Sequence, residues 1–186
     1  VVSADAIAAM GDADTNWQKE IYQIAPSYEG NISLAGRVAL GDAGVLPWRV
    51  SGGFLSQDGV LMTDHMDRTT VSVNLSPSLL DQHLTLNLNG KGVFTSNNWA
   101  NQSAIGAANR MNPTKPVYDE NGIAGYFTHY DPSGNVNTMA TMNPVALLTQ
   151  KTDKSSASRF IGNAQIDYKF HGFEDLRFNL NLGMDY

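Results

Sequence analysis

The sequence predicts an all-β fold: an antiparallel meander of about six strands forming part of a transmembrane β-barrel wall, with short helices in the N-terminal segment and in one long loop. Three observations carry this. Polar and apolar residues alternate over long runs, clearest in Arg159–Tyr186, where Phe160, Gly162, Ala164, Ile166, Tyr168 and Phe170 share one face, as do Leu176, Phe178, Leu180, Leu182, Met184 and Tyr186 after the connection HGFED. Strand side chains alternate faces, so each run has one greasy and one wet side. The runs reach about 10–12 residues, enough to cross a bilayer at a tilt, and the wet face is rich in Asn and Gln. Finally, if the strands meander, the short turns 41–47, 77–82 and 171–175 fall at one end of the sheet, and the loops 57–67 and 96–158 at the other. A barrel wall with trimmed turns and elaborated external loops has this asymmetry.

Composition narrows the classes. The chain has 186 residues, a formal net charge of −6 and 16% charged residues, against the usual quarter. Mean hydropathy is −0.25 and the pI about 5.0. No stretch approaches about 18 unbroken apolar residues, so helical membrane spans are excluded, while a barrel keeps ordinary hydropathy because half of each strand faces a polar lumen. No basic stripe exists to meet phosphates, which argues against nucleic acid. Without cysteine, disulfides, thiolate metal sites and cysteine nucleophiles are excluded. Val1–Met10 has no basic leader, and the chain stops at Tyr186 at the end of an alternating run. A piece of a longer protein is the expectation.

Taken in order, residues 1–26 read as a helical and looped lead-in and 27–186 as the barrel segment. Val1–Met10 is Ala-rich and suits a short helix, broken by GDADT. Thr15 or Asn16 is placed to cap a helix over Trp17–Ile24, which Pro26 ends. Strand one is predicted over Tyr28–Leu40, with Ile32, Leu34, Gly36 and Val38 on one face. Strand two follows at Trp48–Ser56, with Trp48, Val50, Gly52 and Phe54 together. Gln57-Asp58-Gly59 is a turn signal. Strand three is Arg68–Ser76 and strand four His83–Thr95, with Leu84, Leu86 and Leu88 opposite Thr85, Asn87 and Asn89. Within the long loop, Asn98–Met111 suits a helix capped by Asn101 or Ser103. Tyr118–Gly122 and Asp131–Asn135 are turn chemistry. Asn143 is placed to cap a helical turn with Pro144 at its first position, running to Leu148. Trp48 and Phe170 sit at the short-turn end, where an interfacial aromatic girdle would lie. In a soluble fold they would be core residues.

No catalytic constellation emerges. GxSxG, a P-loop and GxGxxG after a strand are missing, and the reading is not an enzyme. His65, His83, His129 and His171 lack metal-ligand spacing, and Asp58-Gly59 and Asp119–Gly122 lack a full calcium-ligand series, so no metal and no cofactor are expected. The residues with binding chemistry lie in the long loop: Trp99, Tyr118, Tyr126, Phe127, His129 and Tyr130, with Asn97, Asn98 and Asn101. Aromatic faces stack on sugars or peptide side chains, and Asn amides donate and accept hydrogen bonds. The same residues suit packing of the loop on itself or against a partner. Asn87, Asn89, Gln165, Asn179 and Asn181 are expected to face the lumen.

Several segments together resemble one family: TNWQKEIYQIAPSYEGNISLAG (15–36), WRVSGGFLSQDGVLMTDHMDRTTVSVNLSPSLLDQHLTLNLNGKG (48–92), NPTKPVYDENG (112–122) and NPVALLTQKTDKSSASRFIGNAQIDYKF (143–170). Their order and spacing resemble the early barrel of SusC/RagA-type TonB-dependent outer-membrane transporters of Bacteroidetes. The resemblance implies a piece of a barrel of about 22 strands, located in the Gram-negative outer membrane. Such barrels import glycans or peptides, are powered through TonB and are lidded by a SusD-like surface lipoprotein. The TonB box, plug and terminal barrel strand are not in the sequence, and the first turn, ALGDAGVLPWRV, is longer than the family's usual one. The fragment alone would not transport. Its open strand edges predict an isolated chain that oligomerises or swaps strands. The alternative is a soluble all-β carbohydrate-binding or adhesin-like module, whose apolar face would be buried by a second sheet of the same chain.

Overall fold

The structure, a computed structural model, describes residues 10–186; but for Met10, the helix expected over residues 1–10 lies outside the described residues. The described chain forms two compact units. One consists of strands, over 27–57, 66–97 and 156–186. The other gathers the lead-in up to Pro26, the connection 58–65 and the long loop 98–155.

The strands are β1 (Ser27–Ala39), β2 (Gly44–Asp58), β3 (His65–Leu75), β4 (Ser78–Leu79), β5 (Leu84–Asn98), β6 (Lys154–Phe170) and β7 (Phe173–Asp185). They pair in the order β1-β2-β3-β5-β6-β7, with the two-residue β4 bridging β2 and β5. This is a sheet of sequential neighbours, as the alternation predicts, with β4 as a seventh, minor strand. Register matches greasy face to greasy face. Leu34 lies opposite Val50, Gly36 opposite Trp48 and Val38 opposite Leu46. At the other edge Ala164 meets Leu182, Ile166 meets Leu180 and Tyr168 meets Phe178. A one-residue slip would turn every side chain to the wrong face, so matched patterns fix register.

The strands run further than the pattern indicates at several ends. The first turn contracts to a 3-10 turn at Gly41–Ala43, and residues 44–47 join β2. Leu40 N–H closes the turn on the Gly44 carbonyl at 2.8 Å. Gly44 sits at φ +127°, where a β-carbon would collide with the Ser78 carbonyl oxygen. Pro47 is tolerated inside the strand and gives its carbonyl to Ser76 N–H at 3.0 Å. The 171–175 connection is only His171-Gly172, with Gly172 at φ +81°. The offset is absorbed by a register slip that sets Phe170 opposite Phe173. Polar Lys154, Ser155 and Ser156 extend β6, although nothing in their side chains alternates.

No residue of the seven strands is buried. On β7, Phe178 is 51% exposed, Leu182 56% and Met184 57%. A soluble sandwich would cover that face with a second sheet; the described residues contain one sheet and nothing of the kind.

The core lies in the other unit. There, α1 (Trp17–Ile21), α2 (Ser103–Arg110) and α3 (Pro144–Thr149) pack on one another. Trp17 and Ile21, Ala104 and Ala108, and Val145 and Leu148 recur at helical spacings of three or four and are all buried, with Leu61 and Met111 completing the cluster. Three alanines on one face of α2 let its neighbours approach closely. Asn16 caps α1, accepting from Lys19 N–H at 3.1 Å. Asn101 does not cap α2; its carbonyl accepts from Ser103 N–H at 3.1 Å, one residue outside the helix, and Gln102 holds the cap position without a side-chain bond.

Candidate functional site

The long loop builds a formed pocket of about 320 Å³. Its geometry depends on Asn143, which is 5% exposed. The Asn143 carbonyl accepts from Val145 N–H at 3.1 Å and Ala146 N–H at 3.3 Å, capping α3 as the Asn-Pro pair predicts. Its amide donates to the carbonyls of Val117 at 2.8 Å and Phe127 at 3.4 Å. One side chain therefore fixes a helix start and pins two distant loop strands.

The pocket opens between that pinned segment and α3. Tyr126, Phe127 and His129 line it, with Asn101 and the aliphatic side chains of Ile123, Val136 and Leu147. Phe127 and His129 meet edge to face, centroids 4.9 Å apart. Lys115 Nζ lies 5.8 Å above the Phe127 ring. Tyr126 is held from two sides: its ring leans on Tyr118 at 5.3 Å, and its hydroxyl lies 2.8 Å from that of Thr149.

The remaining predicted loop residues lie outside this lining. Trp99 donates its indole N–H to Ser155 Oγ at 2.9 Å. Tyr118 supports Tyr126 from behind, and Tyr130 donates its hydroxyl to the Asn121 carbonyl at 3.0 Å. Asn98 ties the long loop to the 58–65 connection by donating to the Thr63 carbonyl at 2.5 Å, and its own carbonyl is buried with no partner. Sequence reasoning missed Val136, Asn137, Ala140, Met142 and Gln150, which also line the pocket. They follow no period and meet only because Asn143 folds the loop back.

The Asp131–Asn135 turn closes the far side of the loop. Asp131 Oδ1 accepts from Ser133 N–H at 2.8 Å and Asn135 N–H at 2.9 Å. The Asn135 backbone bond foremost, then that from Ser133, holds the Asp131 carboxyl below its ordinary pKa.

On the sheet, the expected polar face forms a ladder at its β6–β7 edge. Gln165 lies opposite Asn181 and Asp167 opposite Asn179. Asn179 donates to Asp167 Oδ2 at 3.2 Å, and Asn181 donates to Asn179 Oδ1 at 2.8 Å. Asn87 and Asn89 stand on β5, half-buried and exposed respectively. Among the described residues no three of His, Asp or Glu converge as a metal site. His83 and His171 stack at 3.9 Å near the short turns, and His65 pairs with Asp58 at 2.6 Å.

A sheet of sequential antiparallel neighbours with exposed apolar side chains defines the class: an all-β chain with a few short helices. The sequence is 35% identical to the TonB-dependent receptor SusC of Bacteroides thetaiotaomicron over 96% of this chain, and 26% identical to TonB-dependent receptor P3 of Formosa agariphila over 93%. No family model matches. These two matches support a fragment of a SusC-type TonB-dependent receptor, and the chain spans about a fifth of the length of these curated relatives, 19% and 17%. No helix among the described residues is long and apolar enough to cross a membrane, which leaves crossing by strands untouched.

Proposed function

We propose that this chain is wall and loop of an outer-membrane importer that takes up glycans or peptides, is powered through TonB and works with a SusD-like surface lipoprotein. The observation that carries the reading is the similarity to SusC along 96% of the chain. The sheet supports it: its apolar face suits contact with membrane lipid, and the Gln165, Asn179 and Asn181 ladder, with Asn87 and Asn89, suits a wet lumen. The long loop between β5 and β6 is the external loop in this reading, and its pocket contacts cargo.

The fragment supplies no energy coupling and no chemistry of its own. Its part is a stable hydrogen-bonded wall, in which every backbone group inside the hydrocarbon is paired by a neighbouring strand. The experiment deletes the gene for the full-length receptor and measures growth on defined glycan and peptide sources, with and without a functional TonB. Growth lost on one source, and lost equally without TonB, is the expected result. Unchanged growth and uptake across both panels would overturn the proposal.

A further inference from the structure

The loop pocket has a chemistry of its own. Its wall is formed by Ile123, Val136, Ala140, Met142, Ala146 and Leu147, closed by the Tyr126, Phe127 and His129 rings. Much of this apolar surface faces solvent: Ile123 is 50% exposed, Val136 43% and Met142 65%. Solvent-facing apolar side chains gathered around one cavity mark a recognition site. Met142 adds a flexible thioether to that lining.

Unspent polar groups sit at the mouth. Among the described residues, no hydrogen bond engages the Gln150 amide, and none engages the Nδ2 of Asn101 or Asn137. Each Oδ1 of that pair is committed to its own loop, at Ser103 N–H and Met139 N–H. Asn143, the one buried amide beside the cavity, has all its partners within the protein.

These facts discriminate between ligands. A sugar ring carries a hydroxyl on nearly every carbon, and each one buried against aliphatic carbon without a partner costs free energy. The wall carries six apolar side chains, and most polar ones beside them are engaged within the protein: Thr128 Oγ1 accepts from Ile123 N–H and donates to the Tyr126 carbonyl, Asn143 is fully bonded and Lys151 pairs with Asp153, which leaves few partners for those hydroxyls. The side chain of Leu, Met or Phe fits a cavity of about 320 Å³, and the amide groups of the chain carrying it match the free amides at the mouth. We propose that this pocket is a socket for one apolar side chain of an oligopeptide ligand, with Gln150, Asn101 and Asn137 meeting the peptide backbone. The socket rests on the reading that the loop contacts cargo, and it narrows that cargo to peptide at this subsite.

The test uses the full-length receptor in detergent and calorimetric titration with blocked pentapeptides Gly-Gly-Xaa-Gly-Gly, where Xaa is Leu, Phe or Ser, and with maltohexaose. The Leu and Phe peptides are expected to bind saturably, the Ser peptide at least tenfold more weakly, and maltohexaose not at this site. Ala140→Leu, which fills the cavity, is expected to weaken the Leu and Phe peptides tenfold or more. Should Ala140→Leu disturb folding, Ile123→Ser on the exposed wall weakens the same two peptides and spares the Ser peptide. Equal binding of the three peptides, no peptide binding, or maltohexaose binding that Ala140→Leu abolishes would each overturn the socket. TonB-dependent uptake is scored separately in cells. Its persistence alongside a failed titration sinks the socket alone, and its loss sinks the importer reading while leaving the titration standing.

Discussion

At the residue scale, Asn143 carries more structure than any neighbour. It joins a helix cap, legible from Asn-Pro in the sequence, to two long-range bonds that no local pattern encodes. Asn143→Ala should destabilise the loop unit by about 2–3 kcal/mol, since a cap is lost and buried partners are left unsatisfied. Asn143→Asp separates the two jobs. It keeps an oxygen for Val145 and Ala146 N–H but cannot donate to the carbonyls of Val117 and Phe127. Amide exchange should stay slow in the first turn of α3 and quicken across Val117–Phe127; uniform quickening in both variants would contradict this. Asp131 supplies a pH dependence. Its folded pKa is lowered by backbone N–H donors, Asn135 foremost. Its contribution is therefore full above the ordinary carboxylate range, about pH 4, and is lost as pH falls through the lower, folded value. The protection of the Ser133 and Asn135 amides, measured as exchange relative to the intrinsic rate at each pH, should fall on acidification, and Asp131→Asn should flatten that response. The aromatic candidates show the limit of residue-level reading. Tyr126, Phe127 and His129 converge, while Trp99, Tyr118 and Tyr130 serve as props, and sequence spacing cannot sort one group from the other.

At the element scale, the strands were the most legible part of the molecule, because period-two alternation with a fixed greasy face leaves one register per pair. Their ends were least legible. Alternation fades where β6 begins in Lys154–Ser156, yet pairing continues, because backbone hydrogen bonds do not require patterned side chains. The first turn was read too long because Gly44 concedes a conformation at φ +127° that lets the strand start at once. Gly44→Ala should cost roughly 2 kcal/mol or more, from left-handed backbone strain plus the collision with Ser78. Urea unfolding of the full-length receptor in detergent measures it, and an effect under about 0.5 kcal/mol would mean the turn rearranges freely. Gly36 is a companion case of a different kind. The Trp48 indole lies across it from the paired strand, and a β-carbon there would come within 2.8 Å of the ring. Glycine at that position gives the aromatic room to lie flat on the sheet.

At the scale of the whole chain, the two units are stabilised by different means. The loop unit buries Trp17, Ile21, Met111 and Leu148 in a core of its own, each such burial contributing about 1.5–3 kcal/mol. The strand unit buries only Pro77, just before β4; the apolar side chains of β1 and β7 remain open and those of the strands between them are exposed or half-buried. Hydrogen bonding between strands cannot replace that missing term, because its net contribution per bond is small in water. Two edges, β1 and β7, also present unpaired backbone. The isolated 186-residue chain should therefore form large or detergent-dependent species in light scattering, and become a defined particle only when detergent covers the open face. Proteolysis should separate the units: the loop core, with its buried helices, should outlast the strands in plain buffer and lose that advantage in detergent. A monodisperse monomer in buffer, with strands as protected as helices, would mean that the apolar face finds cover within these residues, and the barrel-wall assignment of the sheet would fall with it.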